Sequence, residues 1–137
     1  MTTPTVGEAI TPLHINGVDG QQIKTMAALL RDPNPIHFDT DVTRALGMGD
    51  RAVNQGPTNV GYVATALMAW AGGGPECIRH LKVRLAGNVF AGDRLTAGGR
   101  VESVEDVDGT PVATCAVWLR RDTDDAVVVT GTARVAV

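Results

Sequence analysis

One apolar segment, NQGPTNVGYVATALMAWAGGG at residues 54–74, constrains the fold of this 137-residue chain more than any other feature. Pro57 suits the first turn of a helix, and the glycines at 72–74 are expected to end it. The apolar side chains cover more than a narrow stripe of this helix, because they include Val60, Val63, Ala64, Leu67, Met68 and Ala71. Such a helix is predicted to be buried on several sides.

The patterning changes from helical to strand-like after Glu76. In CIRHLKVRLA, Leu81, Val83 and Leu85 alternate with polar residues, as in a half-buried strand. Three more strand-like segments follow, RLTAGGRVESV, PVATCAVWLRR and AVVVTGTARVAV, and EDVDGT carries a hairpin signal. We predict an antiparallel meander whose buried face wraps the long helix, which is an α+β fold.

The first half of the chain is predicted to be mainly helical. Residues 11–16 form a weak strand candidate, and VDGQQIKTMAALLRD has the apolar spacing of a helix. Because Pro33 disfavours helical backbone at the residue before it, this helix is expected to stop at Arg31. A short helix is expected between Thr40 and Leu46. The length of the chain favours one domain over residues 1–137.

Composition and charge narrow the class of protein. A net charge of −3 without a basic run argues against a nucleic-acid partner. Cys77 and Cys115 have no CxxC or Cys/His neighbours, so buried free thiols are favoured over a metal site. No signal peptide is recognisable, and the longest apolar stretch is too short to span a bilayer. We therefore expect a cytoplasmic protein without a membrane partner.

Residues 31–39, RDPNPIHFD, carry a carboxylate and an imidazole on a chain stiffened by two prolines. Asp32 and Asn34 each precede a proline, which favours extended backbone. On composition alone this segment is a rigid turn. It is also suited to hold Asp32 and His37 on one water molecule, because this pair is common in acid–base catalysis near neutral pH.

A glycine opens the long apolar helix about twenty residues later. The N–H of Gly56 and the positive end of the helix dipole are suited to stabilise an oxyanion. A Gly-Pro helix start is also a common structural feature. Together with Asp32 and His37, however, Gly56 indicates a site that polarises a carbonyl group.

DPNPIH resembles the D-x-N-P-x-H signature of the MaoC-like, or R-specific, enoyl-CoA hydratases, which have the hotdog fold. NQGPTNVGYVATAL is similar to the helix opening of that family, and HLKVRLAGNVFAGDRLTAGGRV to its next strand and V-x-x-GD turn. The resemblance implies a single hotdog domain over residues 1–137, with a long central helix and an antiparallel sheet. It also implies dimerisation through that sheet.

The resemblance assigns roles to individual residues. It implies Asp32 and His37 as the catalytic pair, Asn34 as a supporting residue, and Gly56 as the donor to a thioester oxygen. Gln55 stands where the family has histidine, which leaves the acyl-chain preference open. The candidate substrate contacts are Gln55, Thr58, Lys82 and Arg84, although cations on a strand more often face solvent.

The implied reaction is reversible syn hydration of a trans-2-enoyl-CoA to an (R)-3-hydroxyacyl-CoA. It requires no metal or redox cofactor, and coenzyme A enters only as part of the substrate. One alternative is a hotdog acyl-CoA thioesterase. Another is a subunit of a heteromeric MaoC hydratase for bulky acyl groups such as sterol side chains. The intact Asp32/His37 pair favours the hydratase, and a homodimer is favoured over a heteromer with a second hotdog chain.

Overall fold

A computed structural model describes residues 2–137. These residues form eight helices and strands, and short 3₁₀ turns lie at Pro35–His37 and Pro75–Cys77. In chain order the elements are β1 (Leu13–Ile15), α1 (Gly20–Leu29), α2 (Thr40–Ala45), α3 (Gly56–Ala71), β2 (Ile78–Leu85), β3 (Leu95–Val107), β4 (Thr110–Arg121) and β5 (Ala126–Ala136). Each predicted helix and strand is present, and the α+β class is confirmed.

All strand pairs are antiparallel, and the sheet order is β1-β3-β4-β5-β2. Strands β3, β4 and β5 form the predicted meander. Strand β2 does not belong to it, because it pairs with β5 at the far edge instead of with β3. The prediction of one meander after Glu76 was therefore wrong for β2. Alternation along a strand reports which face is buried, and it does not report which strand is the neighbour.

Helix α3 packs across the inner face of the sheet. Val63 and Leu67 of the helix are buried against Leu95, Leu119 and Val129 of the strands. The opposite side of α3 is only half-buried, so the helix is less enclosed than its composition predicts. Gly72, in left-handed conformation at φ 70°, ends it as expected. Within residues 2–137, no helix has both the length and the apolar character needed to cross a membrane.

Helix α1 ends at Leu29, two residues before the predicted end. The stop is made by Arg31, which adopts a left-handed conformation at φ 52°. Its N–H donates to the carbonyl of Ala28 at 3.2 Å, and the N–H of Asp32 donates to Ala27 at 2.9 Å. These two bonds form a Schellman motif, which ends the helix before the chain reaches Pro33. The motif also fixes the backbone of Asp32.

Candidate active site

Asp32 and His37 lie side by side at the end of α1. The Nε2 of His37 is 3.1 Å from the Oδ2 of Asp32. The histidine is buried, with 6% of its surface exposed, whereas the carboxylate side chain is about one-third exposed at 34%. One member of the pair is therefore held in the protein interior and the other reaches solvent.

The orientation of the imidazole is set by the main chain of Val53. The Nδ1 of His37 is 2.6 Å from the carbonyl oxygen of Val53. Because that oxygen can only accept, Nδ1 carries a hydrogen and Nε2 is the atom left for Asp32. A hydrogen bond between Nε2 and Oδ2 requires a hydrogen on one of these two atoms. The geometry therefore allows a proton to pass between the two side chains.

The DPNP segment is built from two turns in which side chains bind the main chain. The Oδ1 of Asp32 accepts the N–H of Asn34 at 3.0 Å. The Oδ1 of Asn34 accepts the N–H of Ile36 at 3.3 Å and caps the 3₁₀ turn that carries His37. The rigid-turn interpretation and the site interpretation therefore describe the same geometry. Asn34 acts on His37 through the backbone.

Gly56 and His37 face one cavity. This cavity of about 400 Å³, which we call the His37 cavity, is lined by Ile36, His37, Val53, Asn54, Gly56, Asn59, Leu85, Ala86, Gly87 and Asn88. Gly56 is the first residue of α3, where main-chain N–H groups have no acceptor within the helix. The imidazole and an available amide donor thus border the same space, as a carbonyl-polarising site requires.

Leu85 closes the His37 cavity opposite Gly56. A β-carbon added at Gly56 would lie 2.6 Å from the Cδ1 of Leu85. The strand pattern predicts Leu85 to face the core, but the side chain is 54% exposed, so this prediction was wrong. Strand β2 ends at Leu85, and its last side chain borders the cavity instead of the core.

The side chain of Gln55 turns away from the Asp32/His37 pair. It is 1% exposed, and its Nε2 donates to the carbonyl of Ile23 in α1 at 2.8 Å. Its Oε1 and the hydroxyl of Thr58 are buried without a hydrogen-bond partner among residues 2–137. The structure therefore places Gln55 between α1 and α3, where it ties the helix that precedes Asp32 to the helix opened by Gly56.

Lys82 and Arg84 lie away from the pair. Both are exposed on β2, whereas the alternating Leu81 and Val83 pack towards the core. They therefore point from the opposite face of the sheet, and neither borders the His37 cavity. The described part of the chain holds no cluster of three His, Cys, Asp or Glu residues suited to a metal ion.

Sequence reasoning missed two features of this site. Val53 positions His37 through its carbonyl group, a contact that leaves no signature in side-chain type. Asn54 and Asn59 form a buried pair, in which the Nδ2 of Asn54 donates to the Oδ1 of Asn59 at 2.8 Å. The signal available in the sequence was the presence of two asparagines, five residues apart, at the predicted start of α3.

A family model described as "MaoC like domain" matches residues 4–119, which is most of the chain. The chain belongs to the MaoC-like domain family. Among curated proteins, none matches this MaoC-like chain at a significant level. The resemblance carried by DPNPIH is thereby confirmed at the level of the family.

Solved structures resemble this MaoC-like chain over nearly its full length. A chain of the ChsH1-ChsH2 complex from Mycobacterium tuberculosis is 28% identical, with a TM-score of 0.78, and the match covers 96% of this chain and 97% of that one. The (R)-hydratase from A. caviae involved in PHA biosynthesis is 23% identical, with a TM-score of 0.83 and 98% of each chain covered. A MaoC-like dehydratase from Rhodospirillum rubrum is 21% identical, with a TM-score of 0.77, covering 98% of this chain and 92% of that one. The predicted hotdog fold is confirmed.

Proposed function

We propose that this MaoC-like protein is an (R)-specific trans-2-enoyl-CoA hydratase. The observation that carries the proposal is that His37, with Asp32 on its Nε2, shares a cavity with the opening of α3 at Gly56. This arrangement offers a proton-transferring pair and an oxyanion donor to one substrate. Acyl-CoA thioesters suit it because their carbonyl oxygen gains charge when water adds to the adjacent double bond.

In the proposed mechanism, Asp32 and His37 bind one water molecule and remove a proton from it. The water oxygen bonds to the β-carbon of the enoyl group, and the π electrons move towards the thioester oxygen as an enolate. The N–H of Gly56 stabilises that oxygen, a contribution of about 3 kcal/mol for one such donor. His37 then returns the proton to the α-carbon. Because one pair serves both carbons, addition is syn, and no proton is gained or lost overall.

The proposed reaction conserves electrons, since water adds across a double bond without an oxidant or reductant. It therefore calls for no redox cofactor, and Asp32 and His37 are assigned the proton transfer without a metal ion. Coenzyme A takes part only as the carrier of the acyl group. The names of the similar structures agree with this class of reaction, because one is an (R)-hydratase and another a MaoC-like dehydratase.

We further propose that the active form is a dimer. Three large apolar side chains, Leu29, Leu30 and Phe38, are exposed beside the pair. Next to them lies a groove of about 510 Å³, the Asp32 groove, lined by Lys24, Ala27, Ala28, Arg31, Asp32, Pro33 and Phe38. An apolar surface next to a reactive carboxylate is suited to be covered by a second hotdog domain. The outer edge of β2 also has no strand neighbour among residues 2–137.

A homodimer remains the favoured assembly, because this chain carries both members of the pair and closed symmetric dimers are common. A specific observation supports the heteromer as a second candidate. The similar chain at 28% identity belongs to a complex of two differently named chains, ChsH1 and ChsH2. Light scattering on the purified chain, combined with an activity assay, distinguishes the two assemblies.

Incubation with crotonyl-CoA tests the function. Loss of the conjugated double bond, with (R)-3-hydroxybutyryl-CoA as the product, is the expected result. Release of free coenzyme A would instead identify the protein as an acyl-CoA thioesterase. An (S) product, or no reaction by the purified dimer, would contradict the proposal for the chain acting alone. Activity that appears only after a second hotdog chain is added would establish the heteromer.

A further inference from the structure

The buried row of α3 begins with a polar side chain. Asn59, Val63, Leu67 and Ala71 follow one another at intervals of four residues, and all four are buried. Residues spaced in this way lie on one face of a helix. The last three are apolar and pack into the core, whereas Asn59, which is 3% exposed, borders the His37 cavity. A buried amide in this position requires partners for its oxygen and for its nitrogen.

Within residues 2–137, the protein binds only the oxygen of this amide. The Oδ1 of Asn59 accepts a hydrogen bond from the Nδ2 of Asn54 at 2.8 Å. The Nδ2 of Asn59 has no acceptor among the same residues, and it is not one of the fully enclosed polar atoms that lack a partner. It therefore opens on the His37 cavity. A structural bond between Asn54 and Asn59 accounts for the oxygen and leaves the nitrogen unexplained.

The position of Asn59 brings its amide to the side of Gly56. The two residues are three apart in α3, so they lie on one face of the helix, and both border the His37 cavity. Helical side chains lean towards the N-terminus and cover the preceding turn. Asn59 is held by the bond from Asn54 and by its own N–H, which donates to the carbonyl of Gln55 at 3.2 Å. The amide is thus fixed on the cavity wall before any ligand binds.

We propose that the Nδ2 of Asn59 is a second hydrogen-bond donor to the thioester oxygen. This inference rests on the proposed function and adds a catalytic residue to it. A carbonyl oxygen has two lone pairs, and the N–H of Gly56 occupies one of them. Oxyanion sites combine main-chain N–H groups with side chains such as asparagine. Because Asn59 is neutral, it stabilises the developing charge without adding a charge beside the Asp32/His37 pair.

The attacking water is the weaker candidate for this donor. Asp32 and His37 must make that water more nucleophilic, and a hydrogen bond donated to its oxygen has the opposite effect. The thioester oxygen, in contrast, gains negative charge in the same step. A fixed donor therefore stabilises it more in the transition state than in the bound substrate. Removal of the amide is expected to lower kcat more than it raises KM.

The experiment compares Asn59→Asp and Asn59→Ala with the parent in the hydration of crotonyl-CoA. Asn59→Asp keeps an oxygen for Asn54 and places a carboxylate where the donor was. Both variants are expected to lower kcat at least about 100-fold, with KM changed by no more than about threefold. Gln21→Glu and Gln21→Ala are the matched controls, because Gln21 is exposed on α1 and does not border the His37 cavity. They should react within about twofold of the parent.

Infrared spectra of bound butyryl-CoA, isotope-labelled at its carbonyl carbon, give a second result that needs no turnover. A hydrogen bond to the thioester oxygen lowers the stretching frequency of the carbonyl group. The frequency in the parent should therefore lie below that in both Asn59 variants, and the Gln21 variants should keep the parent value. Circular dichroism checks folding, and if Asn59→Asp does not fold, the carbonyl frequency in Asn59→Ala decides the inference.

The outcomes separate this inference from the proposed function. In an active parent, full activity of Asn59→Asp or an unchanged carbonyl frequency in the Asn59 variants would overturn the inference and leave the hydratase intact. If the parent hydrates no enoyl-CoA, the proposed function fails, and the carbonyl frequencies alone decide whether Asn59 binds a thioester. A parent that does not bind butyryl-CoA would overturn both.

Discussion

His37 and Val53 are joined through the main chain, with the Nδ1 of the imidazole 2.6 Å from the carbonyl oxygen of Val53. Val53 in turn donates its N–H to the carbonyl of Ile36 at 2.9 Å. The segment before α3 is therefore hydrogen-bonded at two points to the turn that carries His37. The Asp32/His37 pair and the opening of α3 are held as one unit, so under the proposed function changes at either end are expected to affect turnover.

Substitution of the pair is the most direct test of its role. Asp32→Asn and His37→Gln change side-chain volume little, so both variants should fold. Each is expected to lower kcat at least about 100-fold, because each removes one partner of the same water. The double variant should lose little more than either single one. Circular dichroism and the hydration assay together check this, and a single variant within a few-fold of the parent would refute the assignment.

Gly56 and Gly61 offer a matched pair of glycines on α3. A methyl group at Gly56 would press on the Cδ1 of Leu85, whereas nothing lies within 4 Å of one at Gly61. Since Leu85 is half-exposed and can move, Gly56→Ala and Gly56→Val should fold but lower kcat by obstructing the cavity. Gly61→Ala should keep its activity and gain about 1 kcal/mol in helix stability. Unchanged kinetics in folded Gly56→Val would remove the oxyanion role.

Gln55 is expected to act as a positioning residue. Gln55→Met keeps the shape of the side chain and removes both the bond to Ile23 and the unpartnered Oε1, so stability should change by no more than about 1 kcal/mol. With α1 less firmly tied to α3, kcat should fall about tenfold while KM changes less. Thr43→Val provides the control, because it removes a buried hydroxyl bonded within its own helix region. Equal kcat in the two variants would count against positioning by Gln55.

Arg31 holds a conformation that glycine adopts more easily. At φ 52° a side chain costs about 1 kcal/mol relative to glycine. Arg31→Gly is therefore expected to raise the free energy of unfolding by about that amount, measured by urea titration, without loss of hydration activity. Asp108→Gly, at φ 53° in the distant β3–β4 hairpin, should give a similar gain. Destabilisation by Arg31→Gly alone would show that the arginine side chain makes a contact that outweighs the strain.

Stability should fall at alkaline pH because of Cys115. Burial raises the pKa of its thiol to about 11, and the charge of Glu102 acts in the same direction. The thiol of the unfolded chain ionises first, so this contribution is complete below about pH 9 and is lost as the pH rises to about 11. The loss amounts to about 2–3 kcal/mol. Cys115→Ala should start less stable but show a flatter decline in urea titrations, and an equally steep decline would contradict the prediction.

The part of the site that was predictable rests on short-range order. Asp32 and His37 lie five residues apart on a segment with two prolines, so little freedom remains in their separation. Gly56 was recognisable as the start of α3 because this helix has strong helical spacing and a proline in its first turn. The end of α1 was misplaced by two residues because a left-handed arginine, a rare choice, replaces the usual glycine.

The part that was not predictable depends on contacts between distant segments. Val53 acts through its carbonyl, which every residue type possesses. The inward turn of Gln55 depends on how α1 and α3 cross, which is decided by packing of the whole core. Leu85 follows the alternation of β2, yet that strand ends beside α3, and the exposure of its last side chain is set by that position.

Because β2 lies at the far edge of the sheet and pairs only with β5, its pairing is expected to come late in folding. Strand β5 is the last element of the chain, and it must insert between β4 and β2 before β2 has any partner. The turn that carries His37 closes through contacts made much earlier in the chain, with Val53. The wall formed by Leu85 and the residues after it instead depends on pairing across more than forty residues, such as Leu85 with Val129. Such non-local pairing is slow. In pulse-labelled hydrogen exchange, the amides from the start of α1 to Val53 should therefore gain protection before those of β2. A newly made chain would then hold Asp32 beside His37 before the wall of the His37 cavity at Leu85 has formed.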